Sequence, residues 1–264
     1  MTTSLILGAI VGLILGLLGG GGSVLAVPFL TYGLGLAPKP AVATSLWVVG
    51  AAALLAAVVH GRAGHVCARI ALVFGLLGAA GAAAGSQLAR QLPGSLQLAL
   101  FAGVMLVAGV RMIRSPGGRN PGGQGGEDEE QAADQASQPS ALTPRVALAA
   151  LVTGVVTGVV GVGGGFLIVP ALVFLIGLPM RKAVGTSLAV IVLNALGGSL
   201  GYLAYVDVEL GTTLPFVVAA AAGGVLGGLA GQRVSPRKLR LAFGVGIVLI
   251  AVAMGGRETW RLLG

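Results

Sequence analysis

Long apolar stretches fill most of this chain, at residues 5–36, 42–60, 70–89, 96–113, 145–178, 183–204, 212–232 and 239–256. Each is about as long as the roughly 17–25 residues with which an α-helix crosses a bilayer, or longer. They recur along nearly the whole length, so the pattern predicts an all-α polytopic membrane protein with no separate soluble domain. One segment breaks the pattern. Residues 115–141 are rich in Gly, Pro, Gln and Ser and hold Glu127, Asp128, Glu129, Glu130 and Asp134, five of the eight acidic residues. With little apolar surface to offset the entropy of ordering, this segment reads as a flexible, solvated linker between residues 1–114 and residues 142–264.

The halves on either side of the linker align at a constant offset of 142 residues. Gly12, Gly16, Gly19, Gly21, Gly22 and Pro28 match Gly154, Gly158, Gly161, Gly163, Gly164 and Pro170. Gly35-Leu36 matches Gly177-Leu178, and Ala41-Val42-Ala43-Thr44-Ser45-Leu46 matches Ala183-Val184-Gly185-Thr186-Ser187-Leu188. Composition alone scatters Gly and Ala matches, whereas paired Pro and Thr-Ser at one offset argue for duplication. Secondary transporters are commonly built this way, with the binding site where the repeats meet near the bilayer midplane.

The first stretch of each half is longer than one span needs and is interrupted by Gly19-Gly20-Gly21-Gly22 or by Gly161-Val162-Gly163-Gly164-Gly165. It is either one long broken helix or a hairpin, followed in both cases by three transmembrane helices. Charge arbitrates, because cytoplasmic loops carry an excess of Lys and Arg. Counted as single spans, the stretches divide the basic residues eight against eight; counted as hairpins, twelve against four. The bias favours hairpins, and with them two inverted repeats with the acidic linker in the cytoplasm and both termini outside.

Composition supports the class. Of the 264 residues 56% are apolar and 9% are charged, against about 25% charged in a soluble domain. The net charge of +8 comes from basic residues lying singly or in small groups between apolar runs, a membrane-orientation pattern with no nucleic-acid surface. The lone Cys67 has no disulfide partner and no ligand set for a metal, and reads as packing. Met1 to Ser4 carry no basic residue, so the N-terminal stretch is expected to be retained and not cleaved as a signal peptide.

Candidate chemistry centres on the glycine runs. Each Gly costs roughly 1 kcal/mol in a helix relative to Ala, so helices are expected to break at Gly20, Gly21 and Gly22, and again at Gly163, Gly164 and Gly165. Irregular backbone at membrane depth is tolerated where protein buries it or where it lines a polar cavity. New helix N-termini near Ser23 and near Gly165 or Phe166 would suit an anion. Thr44-Ser45 and Thr186-Ser187 follow short loops holding Lys39 and Arg181-Lys182. Their hydroxyls either bond their own backbone or a neighbouring helix, or donate to a substrate oxygen, while the three cations would draw anions to the mouths. Asn194, opposite Ala52, makes either an interhelical bond or a substrate contact. Gly8, Gly12, Gly16 and Gly20, Gly81 and Gly85, and Gly223, Gly227 and Gly231 recur every four residues and are assigned to close helix packing.

Enzyme signals are poor. Gly197-Gly198-Ser199-Leu200-Gly201 matches a nucleophile elbow but sits in an apolar span without the strand-turn-helix context. No Gly-rich stretch ends in Gly-Lys-Ser/Thr, so nucleotide-driven transport is not encoded. Asp207, Glu209 and Glu258 lie at span ends or loops, which leaves a carboxylate proton relay unsupported. Export of an anion from a negative cytoplasm gains about 2.3 kcal/mol per charge per 100 mV and needs no coupled ion.

The duplicated pattern Gly-Gly-Gly-Gly-Ser-Val-Leu-Ala-Val-Pro at 19–28 and Gly-Val-Gly-Gly-Gly-Phe-Leu-Ile-Val-Pro at 161–170, each followed by a short basic loop and Ala-Val-Ala/Gly-Thr-Ser-Leu, resembles the TauE/SafE sulfite-exporter family. The first copy departs by carrying Ser23 where the second has Gly165. The resemblance implies a multi-pass cytoplasmic-membrane transporter for sulfite, sulfonates or related sulfur-containing anions. Its site would lie where the two Gly-rich breaks face each other at the repeat interface. The expectation is therefore a secondary anion exporter whose partners are a small anion and the lipid bilayer, with no cofactor and no nucleic acid. A passive anion channel, a non-transporting scaffold and an intramembrane enzyme using Ser199 are the alternatives.

Overall fold

The computed structural model describes residues 2–18, 23–114, 144–160, 165–202, 206, 210–231, 233–234 and scattered positions between 241 and 252. The linker and most of the last apolar stretch lie outside them. Every regular element among the described residues is helical. They are α1 (Thr2–Leu18), α2 (Ser23–Pro28) with a π-helical turn Phe29–Gly33, α3 (Pro38–Arg62), α4 (Ala68–Gln91), α5 (Gly94–Arg114), α6 (Pro144–Val160), α7 (Gly165–Phe174), α8 (Met180–Tyr202) and α9 (Leu210–Gly231). Among the described residues four helices, over Pro38–Arg62, Ala68–Gln91, Met180–Tyr202 and Thr213–Gly231, are long and apolar enough to cross a membrane.

Local sequence sets these boundaries. α3 opens on Pro38, whose ring fixes φ for the first turn and whose missing N–H is no loss there. Pro28 closes α2 and precedes the π-helical turn, because a proline without an N–H cannot sustain the preceding ladder. Gly35 and Gly177 follow the two half-helices with φ of 72° and 77°, a left-handed conformation that strains a residue with a β-carbon. Leu36 N and Leu178 N then donate back to Leu30 O and Leu172 O, each at 3.1 Å.

Helices α4 and α9 each lie between two others, α4 against α6 and α8, and α9 against α1 and α3, while α3 and α8 cross at the centre. Glycines decide these contacts. A β-carbon on Gly8, Gly12 or Gly16 of α1 would sit 2.5, 1.9 or 2.1 Å from the carbonyl oxygens of Phe216, Ala220 and Gly224 on α9. On α6, Gly154 and Gly158 meet Gly78 O and Ala82 O of α4 at 2.1 and 2.0 Å in the same sense. Gly81 and Gly85 of α4, and Gly223, Gly227 and Gly231 of α9, return the contact against α6 and α1. The packing role expected for these four-residue spacings is what they have, Gly20 lying outside the described residues.

The order of the contacts fixes helix sense. Along both α1–α9 and α4–α6 the paired numbers rise together, so each pair is parallel. Gly224 faces Ala52 and Gly228 faces Val59, so α9 is parallel to α3; Gly75 faces Leu193 and Gly197 faces Ala79, so α4 is parallel to α8. Across the centre Gly50 meets Ala195 and Gly198 meets Leu46, so α3 and α8 are antiparallel. Helices α1, α3 and α9 therefore point one way and α4, α6 and α8 the other.

The core holds Val11, Leu15, Val48, Val49, Phe74, Ile168, Leu172, Ile191 and Phe216. The outside is apolar as well: Leu200 is 70% and Leu148 63% exposed. A surface of that kind is at rest only in lipid.

Candidate functional site

Gly20, Gly21, Gly22, Gly163 and Gly164 lie outside the described residues, between described helices. α1 ends at Leu18 and α2 begins at Ser23; α6 ends at Val160 and α7 begins at Gly165. Ser23 and Gly165 are both buried.

The last described turn of α6 carries a polar clasp that sequence reasoning missed. Tyr202 at the end of α8 donates its hydroxyl to Gly158 O at 3.1 Å, with Val159 O at 3.4 Å. Gln97 of α5 donates from Nε2 to Val159 O and, at 2.7 Å, to Tyr202 Oη. Both side chains are 1% exposed. Side chains from two other helices thus bind carbonyls of the last described turn of α6. A solitary Gln in the run 96–113 was the available signal, since a buried amide demands partners.

The Thr-Ser pairs are buried and stand apart. Thr44 lies two residues from Leu46, which faces Gly198 of α8, so Thr44 is level with about residue 200. Thr186 is then about fourteen residues away along α8, roughly 20 Å at 1.5 Å per residue. Ser45 Oγ donates to Val42 O at 2.7 Å and Ser187 Oγ to Val184 O at 2.8 Å, which commits each hydroxyl proton to its own helix. Thr186 Oγ1 accepts from Cys67 N at 3.0 Å and so helps to start α4, while the Cys67 thiol is half-buried and reduced. Lys39 Nζ donates to Arg90 O at 3.2 Å; Lys39 opens α3 as Arg181 and Lys182 open the antiparallel α8, so the cations stand at opposite ends of the molecule.

Asn194 is the exception among these polar groups. It is 0% exposed, and neither Oδ1 nor Nδ2 has a hydrogen-bond partner among the described residues. Its neighbour Ala195 meets Gly50, halfway along α3, which puts the amide at mid-depth. It rests on Gly78 of α4, where a β-carbon would lie 2.3 Å from Oδ1. Among the described residues it makes no interhelical hydrogen bond.

Ser199 lies inside the continuous helix α8 and is 4% exposed, without the sharp turn that a nucleophile elbow requires. A groove of about 740 Å³ between α5 and α7 is lined by Leu96, Leu100, Val104, Leu167 and Pro170 among others. It offers an anion no donor.

Comparison with known proteins follows the same lines. The family described as sulfite exporter TauE/SafE matches residues 4–254. A probable membrane transporter protein of Xylella fastidiosa is 36% identical over 248 residues, 94% of this chain and 91% of the relative. The probable membrane transporter protein YdhB of Bacillus subtilis is 29% identical, covering 76% of this chain and 79% of its own length. A probable membrane transporter protein of Methanocaldococcus jannaschii is 28% identical over 75% of this chain and 71% of its own. No solved structure matches the chain.

Proposed function

We propose, because this chain belongs to the sulfite exporter TauE/SafE family of multi-pass membrane transporters, that it exports small sulfur-containing anions across the cytoplasmic membrane through a site between two inverted repeats. The repeats are residues 1–114 and 142–264, joined by the linker 115–141. Several features support inversion. Starts of α1, α2, α3 and α4 recur 142 residues later as those of α6, α7, α8 and α9. The contacts of Gly12 with Ala220 and Gly16 with Gly224 recur at the same offset, with the halves exchanged, as Gly154 with Gly78 and Gly158 with Ala82. Helices α3 and α8 occupy equivalent positions and run antiparallel. That α1 and α3 point the same way, as α6 and α8 do, supports a return of the chain between them and with it the hairpin reading of each first segment. A reporter fused after Gly264 is expected to lie outside the cytoplasm; a cytoplasmic reading would overturn the inverted arrangement.

The observation that carries the site is the unpartnered Asn194 amide. An amide without a hydrogen bond at mid-depth costs about 1–3 kcal/mol, and a passing anion can accept from its N–H₂. The Gly-rich breaks on either side, with Ser23 and Gly165 at their edges, would line the path. In the purified protein sulfite, thiosulfate, taurine or sulfoacetate is expected to raise the melting temperature where acetate does not. A ligand at 100 times its Kd adds about 2.7 kcal/mol. A flat response from folded protein would leave the family and fold standing and remove the sulfur-anion cargo.

A further inference from the structure

Asn194 presents an acceptor as well as a donor. A carboxamide carries two N–H donors on Nδ2 and two lone pairs on Oδ1, and neither atom has a hydrogen-bond partner among the described residues although the side chain is 0% exposed. A bare oxyanion has lone pairs only. It accepts from Nδ2 and leaves Oδ1 with nothing to accept, beside a negative charge that repels it. We infer that the cargo brings its own O–H or N–H together with its sulfur oxyanion group, donating to Oδ1 while it accepts from Nδ2. The inference rests on the anion reading above and narrows the class of cargo within it.

Charge narrows the class further. The amide lies against Gly78 of α4, while its neighbours on α8 meet apolar groups, Leu193 at Gly75 and Ala195 at Gly50. The basic residues of α4 and α8 stand at the helix ends: Arg69 is nine and Arg90 twelve residues from Gly78, and Lys182 and Arg181 are twelve and thirteen from Asn194. At 1.5 Å per residue the nearest of them is about 14 Å away along its helix. Helices α3 and α6, which pack on α8 and α4, also keep their basic residues in the first or last turn. No cation among the described residues therefore stands beside the amide to offset a second negative charge. The cost of taking an ion out of water grows with the square of its charge, about fourfold for a dianion over a monoanion. Burial and the two-sided amide thus select a sulfonate or sulfur oxyanion with one negative charge and one donor, and select against a dianion.

Sulfonates of one size test this on the full chain in detergent, by calorimetric Kd at neutral pH. Isethionate has one charge and a hydroxyl, ethanesulfonate has one charge and a methyl in its place, and sulfoacetate has a second charge and no donor. Isethionate is expected to bind at least about tenfold more tightly than either, because a buried polar group discriminates strongly against the analogue that lacks its partner. Asn194→Leu is expected to bind isethionate no better than the wild-type chain binds ethanesulfonate, and Asn194→Ala gives the same reading should the Leu variant fail to fold. A sulfur anion without a donor that binds as tightly as isethionate or more tightly, or a hydroxyl preference kept by the Asn194 variants, overturns the donor requirement and leaves the anion reading intact. No binding of isethionate or of any other sulfur anion overturns that reading, and the donor requirement with it.

Discussion

Gly12→Val and Gly154→Val are each expected to destabilise the protein by about 3 kcal/mol or more, the high end for overpacking. The reason is geometric. A β-carbon at Gly12 would lie 1.9 Å from Ala220 O, and one at Gly154 would lie 2.1 Å from Gly78 O. No rotamer moves a β-carbon, and the atom it meets is backbone, so the two helices must separate. Separation dismantles more than one contact, because the same face of α1 also seats Gly8 and Gly16 against α9. Lipid tails are as apolar as leucine, so close packing and short Cα–H···O contacts, not hydrophobic burial, hold such pairs together. Thermal unfolding in detergent checks the result. Gly103→Ala is the control, since nothing lies within 4 Å of its β-carbon position, and gaining a better helix former there should change stability by no more than about 1 kcal/mol. Equal melting temperatures for Gly12→Val and Gly103→Ala would refute the packing account.

Replacing Asn194 with Leu is expected to separate stability from function. The two side chains are similar in shape, and the amide has no partner to lose. Removing an unsatisfied buried polar group should therefore stabilise the empty protein by about 1 kcal/mol or more, while anion-dependent stabilisation and sulfite efflux from proteoliposomes should fall at least about tenfold. A structural amide behaves in the opposite way: the Leu variant would melt lower and still respond to the anion. Gly78 limits the choice of substitution, because it lies against the side chain; Asn194→Phe would report overpacking instead of lost chemistry.

The polar and glycine positions were legible before any coordinates, as positions. α2 begins at Ser23 and α7 at Gly165, while Gly20, Gly21, Gly22, Gly163 and Gly164, where glycine's local helix penalty predicts breaks, lie outside the described residues. The hydroxyls were legible as polar positions but not as partners. Ser45 and Ser187 turn to their own helices, and Thr186 turns to Cys67 of the other half. Which of these holds is decided by what stands across the gap, and a span's sequence does not contain its neighbour. Gln97 and Tyr202, 105 residues apart, became a pair only on folding.

The sequence by itself determined the membrane class, the 142-residue offset between its halves and the glycine faces. Each depends on the length and identity of residues in one stretch of chain, and a helix in lipid satisfies its own backbone without help. Tertiary structure alone decided that α1 packs on α9 and α6 on α4, so that each half's first helix is seated on the other half. It also decided that the Thr-Ser pairs stand at opposite ends, and that Asn194 and the Tyr202–Gln97 clasp occupy the levels they do. Small faces of Gly and Ala are chemically alike, so which two of them meet is settled by the fit of whole helices and not by any residue on its own.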